Sequence, residues 1–150
     1  MKKCTKRKTD DAGKRPVHLV VGGYSNKSPI WTFESIDRTG DFAFDINRED
    51  FAYKEILDKL LSYSTMTWAE IDKQHHDDGR SKHHYLKIES LSKKAEKRLI
   101  AKKLEDQSDQ IYSFALQNKL RIIGIRDDQF FHVLWYDPNH EVCVSHKKHT

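Results

Sequence analysis

Two histidines, two arginines and a tyrosine in the last third of the chain have the chemistry to handle a phosphodiester. Arg121 and Arg126 lie on one apolar run and His132 inside the next. Tyr136 and His140 follow in Trp135-Tyr136-Asp137-Pro138-Asn139-His140. Cleaving RNA without a metal takes a base for the 2′-hydroxyl proton, an acid for the leaving oxygen and cations for the charge that develops on the phosphate. An imidazole titrates near neutrality, so His140 is the first candidate for proton transfer and His132 the second. A guanidinium matches two phosphate oxygens at once, which makes Arg121 and Arg126 candidate clamps. Tyr136 can stack on a base or donate a proton. The same residues also suit an ordinary half-exposed sheet, with His132 a satisfied strand residue and His140 a member of an Asp-Pro-Asn turn.

Strand alternation limits which of them can meet. Arg121 shares a face with Ile123 and Ile125, and Arg126 with Leu120 and Ile122, so the two arginines point to opposite faces and at most one joins a given site. On the next run, Phe131, Val133 and Trp135 fall on one face. Phe130, His132, Leu134 and Tyr136 fall on the other.

Two further clusters carry charge or metal-ligand chemistry. His75-His76-Asp77-Asp78 with His83-His84 supplies donors that zinc or nickel accepts. Adjacent histidines diverge, however, so a solvated loop is expected and no metal or cofactor is assigned; Arg80 in that loop can contact phosphate. The segment with Lys93, Lys94, Lys97, Arg98, Lys102 and Lys103 against Glu96 and Glu105 is the strongest basic patch outside the N-terminus. It is a solvent face, or a surface for an RNA backbone or an acidic partner. No Gly-rich phosphate loop and no Ser/His/Asp signature is present.

The chain that must position these groups has 150 residues, with 27 Lys and Arg against 23 Asp and Glu. The excess is local. Residues 1–15 hold seven basic residues against Asp10 and Asp11, a net of +5, which leaves −1 for the rest. Residues 1–16 are expected to be a disordered basic tail, either solubilising or contacting nucleic acid, and 17–150 one α+β domain. No apolar run approaches the ~18 residues of a membrane span and no secretory signal opens the chain, so a cytoplasmic location is expected. Cys4 and Cys143 make no disulfide framework.

Periodicity and capping signals give the elements. Short strands are expected at residues 18–21, 30–36 and 84–88, with a short extended piece at 42–44. Asn47 reads as the N-cap of a first helix, with Ile46 and Phe51 as its staple and Tyr53, Ile56, Leu57, Leu60 and Leu61 as its apolar face. Thr67-Trp68-Ala69-Glu70 is a capping box for a short second helix, with Met66 and Ile71 as its staple. Ser92 caps a third helix to about Leu104, with Leu91, Ala95, Leu99 and Ile100 toward the core. Residues 111–116, 119–126 and 129–136 are three strands joined by tight turns, hence antiparallel. The expected architecture is an antiparallel sheet with a C-terminal three-stranded meander and helices packed on one face.

This order of elements, with Lys119-Leu120-Arg121-Ile122, Phe130 to Trp135 and the terminal Asn139-His140-Glu141-Val142, resembles the RelE/ParE/YoeB superfamily of small bacterial toxins over roughly residues 48–144. The resemblance implies an RNA-interacting protein, an endoribonuclease toxin of a toxin–antitoxin or phage-defence system. RNA or the ribosome would be its target and an antitoxin protein its partner. The chain departs from that pattern in its extra segment at residues 18–44 and its near-neutral domain. The rival is a non-catalytic module that docks on nucleic acid or protein. Convergence separates them. The enzyme requires His140, one arginine and Tyr136 or His132 in one exposed cleft, and scatter favours the binding module.

Overall fold

In the computed structural model, which describes residues 23–143, the C-terminal meander forms as its turn signals dictate. Strands β3 (Ile111–Ala115), β4 (Arg121–Asp127) and β5 (Phe130–Asp137) pair antiparallel. Asn118 and Asp128 supply the left-handed turn positions, φ 53° and 51°, which Asn and Asp tolerate better than most residues. The basic tail and the strand expected at residues 18–21 lie outside the described residues. Among the described residues no helix is long and apolar enough to cross a membrane.

The fold is α+β, with a five-stranded sheet in the order β1-β5-β4-β3-β2. The sheet is mixed and not purely antiparallel. β1 (Ile30–Thr32) runs parallel to β5, with Ile30 opposite Phe130 and Thr32 opposite His132. About a hundred residues separate these strands, so no tight turn forces them antiparallel. β2 (His84–Tyr85) closes the other edge against β3, with His84 opposite Ser113. Both outer strands are shorter than their apolar runs suggest. Of the 42–44 piece, Phe42 lies in a turn and only Ala43 pairs, in a single bridge to Trp135 of β5.

Helices cover both faces, not one. α1 (Tyr53–Ser64) and α2 (Trp68–Asp72) bury Ile56, Tyr63, Trp68 and Ile71 against Tyr112, Phe114, Ile122, Phe131 and Val133. α3 (Lys93–Ala101) buries Ala95 and Leu99 on the opposite face, against Ile111, Ile123, Ile125, Leu134 and Trp135. Every β4 side chain from Arg121 to Arg126 is buried, as a sheet covered twice requires. The capping signals of α2 and α3 operate as expected: the Glu70 amide donates to Thr67 Oγ1 and the Ala95 amide to Ser92 Oγ, both at 3.2 Å.

α1 begins five residues later than the Asn47 signal implies. Its N-cap position is Ala52, which has no capping side chain. Tyr136 does the work from across the sheet: its hydroxyl accepts from the Ala52 amide at 3.0 Å and donates to the Asp50 carbonyl. The Arg48 guanidinium holds the preceding loop by donating to the Asp41 and Ala43 carbonyls and to the Asp50 carboxylate.

The simple alternation assumed for β5 fails at one residue. Ile123 lies opposite Trp135, but Gly124 lies opposite Val133, so Leu134 is an extra residue, a β-bulge. Phe131 and Val133 therefore face α1 and α2, whereas Leu134 and Trp135 both face α3. Trp135 is fully buried, on the face opposite to the one alternation gives it. Tyr136 is likewise displaced and shares a face with Phe131, not with His132.

Candidate anion-binding site

The bulge decides which chemical groups meet. Beyond it, Asp137 lies opposite Arg121 on the α3 face of the sheet. Across the sheet from Arg121, the register puts His84 on that face too, through Ser113 and Ile123. The Asp137 carboxylate is buried and accepts from the Glu141 and Val142 amides at 2.8 and 2.9 Å, so the chain turns back over the strand end. His140 rides this turn at φ 57°, a left-handed position that histidine tolerates better than branched residues do.

At this end of the sheet His140, His84, Arg121 and Lys119 share one electrostatic environment. Burial lowers the His140 pKa, and the neighbouring Arg121 and Lys119 lower it further, against an opposing pull from Asp137. Desolvation of the ring lowers His84 as well, with His140 and Arg121 as the charged neighbours. Arg121 is nearly buried and braces the β3–β4 turn, donating to the Asn118 and Leu120 carbonyls at 2.7 and 3.0 Å. Lys119 is exposed at the tip of that turn. Two permanent cations and two imidazoles held toward neutrality, with the one nearby buried carboxylate engaged by backbone amides, form a place where an anion gains and a proton loses.

The other sequence candidates lie elsewhere. His132 hydrogen-bonds Thr32 through Nδ1 and stacks on Phe130, five steps along the strand, roughly 17 Å, from Asp137. Tyr136 caps α1 on the opposite face, with the Arg48 guanidinium 5.1 Å from its ring centre. Arg126 is buried on that face as well, bidentate to Asp72 at 2.8 and 3.0 Å and 3.9 Å above the Trp68 ring. On α3, Arg98 makes a fork to Asp37 at 2.7 and 2.9 Å, and Asp37 also accepts from the Trp135 indole. Lys94 pairs with Asp41 at 2.8 Å, while Lys93 and Lys97 are exposed. Arg80 pairs with Asp78 in the hairpin loop.

The two His pairs do not act together. His75 bridges to Ser81 across a tight turn at Gly79, whereas His83 is a core residue. Its Nδ1 accepts from the Ala115 amide at 3.0 Å and its Nε2–H donates to Gln74 Oε1 at 2.7 Å. Burial drops its pKa to about 3. The roles of His84 and Lys119 are absent from the sequence signals, because only the register of β2 and the geometry of the turn bring them beside His140. Comparison with known proteins finds no matching family model, no matching curated protein and no matching solved structure.

Proposed function

We propose that this chain is a non-catalytic RNA-contacting module that holds a backbone phosphate between Arg121, Lys119, His140 and His84. The single observation behind this is the register, which sets Asp137 opposite Arg121 and His84 on the same face, with the Asp137 carboxylate folding the His140 turn back over that strand end. A phosphate there replaces mutual repulsion with charge-assisted hydrogen bonds. The folded part is not basic as a whole: residues 23–143 carry 18 Lys and Arg against 21 Asp and Glu. Binding therefore depends on the local cluster, with the seven basic residues of the N-terminal tail adding a sequence-independent contribution. The separation of Tyr136 and His132 from His140 favours a binding module over an enzyme. Such a role belongs in the cytoplasm, with free or ribosomal RNA as target.

The ribonuclease reading, an endoribonuclease toxin held by an antitoxin, keeps one point in its favour. His140 lies beside Arg121, a possible acid next to a phosphate clamp.

Binding of labelled single-stranded RNA across a salt series tests both. Lys119→Ala is expected to weaken binding and to reduce the salt slope by about 0.7, the loss of one phosphate contact. An anion favours protonated imidazole, so affinity is expected to rise on acidification, and His140→Gln is expected to flatten that rise. If neither variant changes affinity, the site is wrong. If intact RNA is cut by the wild type and not by His140→Gln, the chain is an enzyme.

A further inference from the structure

α1 carries a second apolar row that no element of the described fold covers. Tyr53, Leu57 and Leu61 are 60, 58 and 60% exposed, at positions i, i+4 and i+8 of one helix face. Ile46, 57% exposed, extends the row, because the Tyr53 hydroxyl donates to its carbonyl. These residues belong to neither core, which takes Ile56, Tyr63 and part of Leu60 from this helix. A contiguous exposed apolar patch marks a contact.

The row is symmetric about Leu57, with Tyr53 and Leu61 four residues to either side. We propose that it is a two-fold contact between the α1 helices of two copies of this chain, running antiparallel with Leu57 on the axis. A two-fold interface must be complementary to itself. Here Leu57 meets Leu57 of the second copy and Tyr53 meets Leu61.

The flanking charges select the direction. Lys54 and Asp58 are both exposed on the solvent side of the row. At a rise of 1.5 Å per residue, Lys54 stands about 4.5 Å to one side of the axis and Asp58 about 1.5 Å to the other. The two-fold brings Lys54 within about 3 Å, measured along the helix, of Asp58 from the second copy, while the two Lys54 stay about 9 Å apart. The two Asp58 lie between those lysines and about 40° further round the helix from the row. The order along the seam is plus, minus, minus, plus. A parallel two-fold would instead carry Lys54 and Asp58 of the second copy to the opposite side of the seam, where neither faces an opposite charge, so the charges favour the antiparallel dimer.

Sedimentation velocity on the full chain, from about 1 to 200 µM, tests this over the affinity range of ordinary homodimers. The expected species has twice the 17.7 kDa protomer mass. Leu57→Arg, at an exposed position, is expected to weaken dimerisation at least about 100-fold without changing the circular dichroism or the melting temperature. Lys54→Asp is expected to weaken it as well, and Lys54→Asp combined with Asp58→Lys to restore it. A monomeric wild type overturns the proposal. If deleting residues 1–22 then produces dimers, the row is covered by the chain's own N-terminal segment. A dimer indifferent to Leu57→Arg uses another surface and overturns it equally.

Discussion

Acidification is expected to destabilise this fold through His83. The ring is 3% exposed, lies against Tyr63 and Phe114 with centroids 5.1 and 5.3 Å away, and accepts the Ala115 amide at Nδ1. Protonating Nδ1 removes that acceptor and buries a charge. The folded-state pKa falls from 6.5 to about 3, mainly through burial. The unfolded chain therefore binds the proton first, and stability contributed by neutral His83 is complete above pH 6.5 and lost as pH falls toward 3. At 1.36 kcal/mol per pH unit the loss is about 2 kcal/mol at pH 5 and about 3 kcal/mol at pH 4. His84 and His140 shift in the same direction and add to it, whereas Asp137, raised by burial, takes up its proton more readily in the fold and offsets part of it. The lowered Asp37 and Asp50 lose their contribution only below about pH 4, outside the window. Urea unfolding at pH 7.5, 6, 5 and 4.5 measures the profile. In His83→Asn, Oδ1 takes the place of Nδ1 as acceptor and cannot titrate, so the variant is expected to be less stable at pH 7.5 but to lose distinctly less on acidification. Wild-type stability that is flat from pH 7.5 to 5, or an equal slope in the variant, would refute the reasoning.

Two further substitutions test how the sheet is built. Gly124→Ala is expected to cost at least about 3 kcal/mol in the same urea assay, because a Cβ there would lie 2.3 Å from the His132 carbonyl oxygen and 2.8 Å from the Phe131 ring. Near-wild-type stability would show that the strands pack differently. Tyr136→Phe is expected to cost about 1–3 kcal/mol, by leaving the Ala52 amide and the Asp50 carbonyl without their partner, and to leave RNA affinity unchanged. Lost affinity at full stability would return Tyr136 to the functional site.

What the sequence made legible is what short-range chemistry decides. The Thr67–Glu70 box and the Ser92 cap act within one helical turn, and the Asn118 and Asp128 turns fix the meander within a few residues. What it hid depends on groups far apart in the chain. The start of α1 was misplaced because Tyr136, 84 residues away, outcompetes a local N-cap signal. β1 pairs parallel to β5 through contacts that no local pattern encodes. Periodicity implies one buried face on α1, yet Leu57 and Tyr53 point outward, since it marks a face as apolar without saying what covers it.

The candidate site itself turns on a single extra residue. Regular alternation from Phe131 would carry Asp137 to the face of α1 and α2, and the His140 turn would leave the sheet on that side. The bulge at Leu134 moves Asp137 to the α3 side, opposite Arg121. Only then does the Asp137 carboxylate, by accepting from the Glu141 and Val142 amides, fold His140 back toward Arg121 and His84. The signal was present: a glycine inside an otherwise apolar strand often marks a bulge or a close backbone approach. Gly124 stands where the register shifts, and the Phe131 ring and the His132 carbonyl fill the space its missing side chain leaves. His140 and Arg121 were thus readable from the residues, but the assembly that adds His84 and Lys119 depended on Gly124, a position with no polar chemistry of its own.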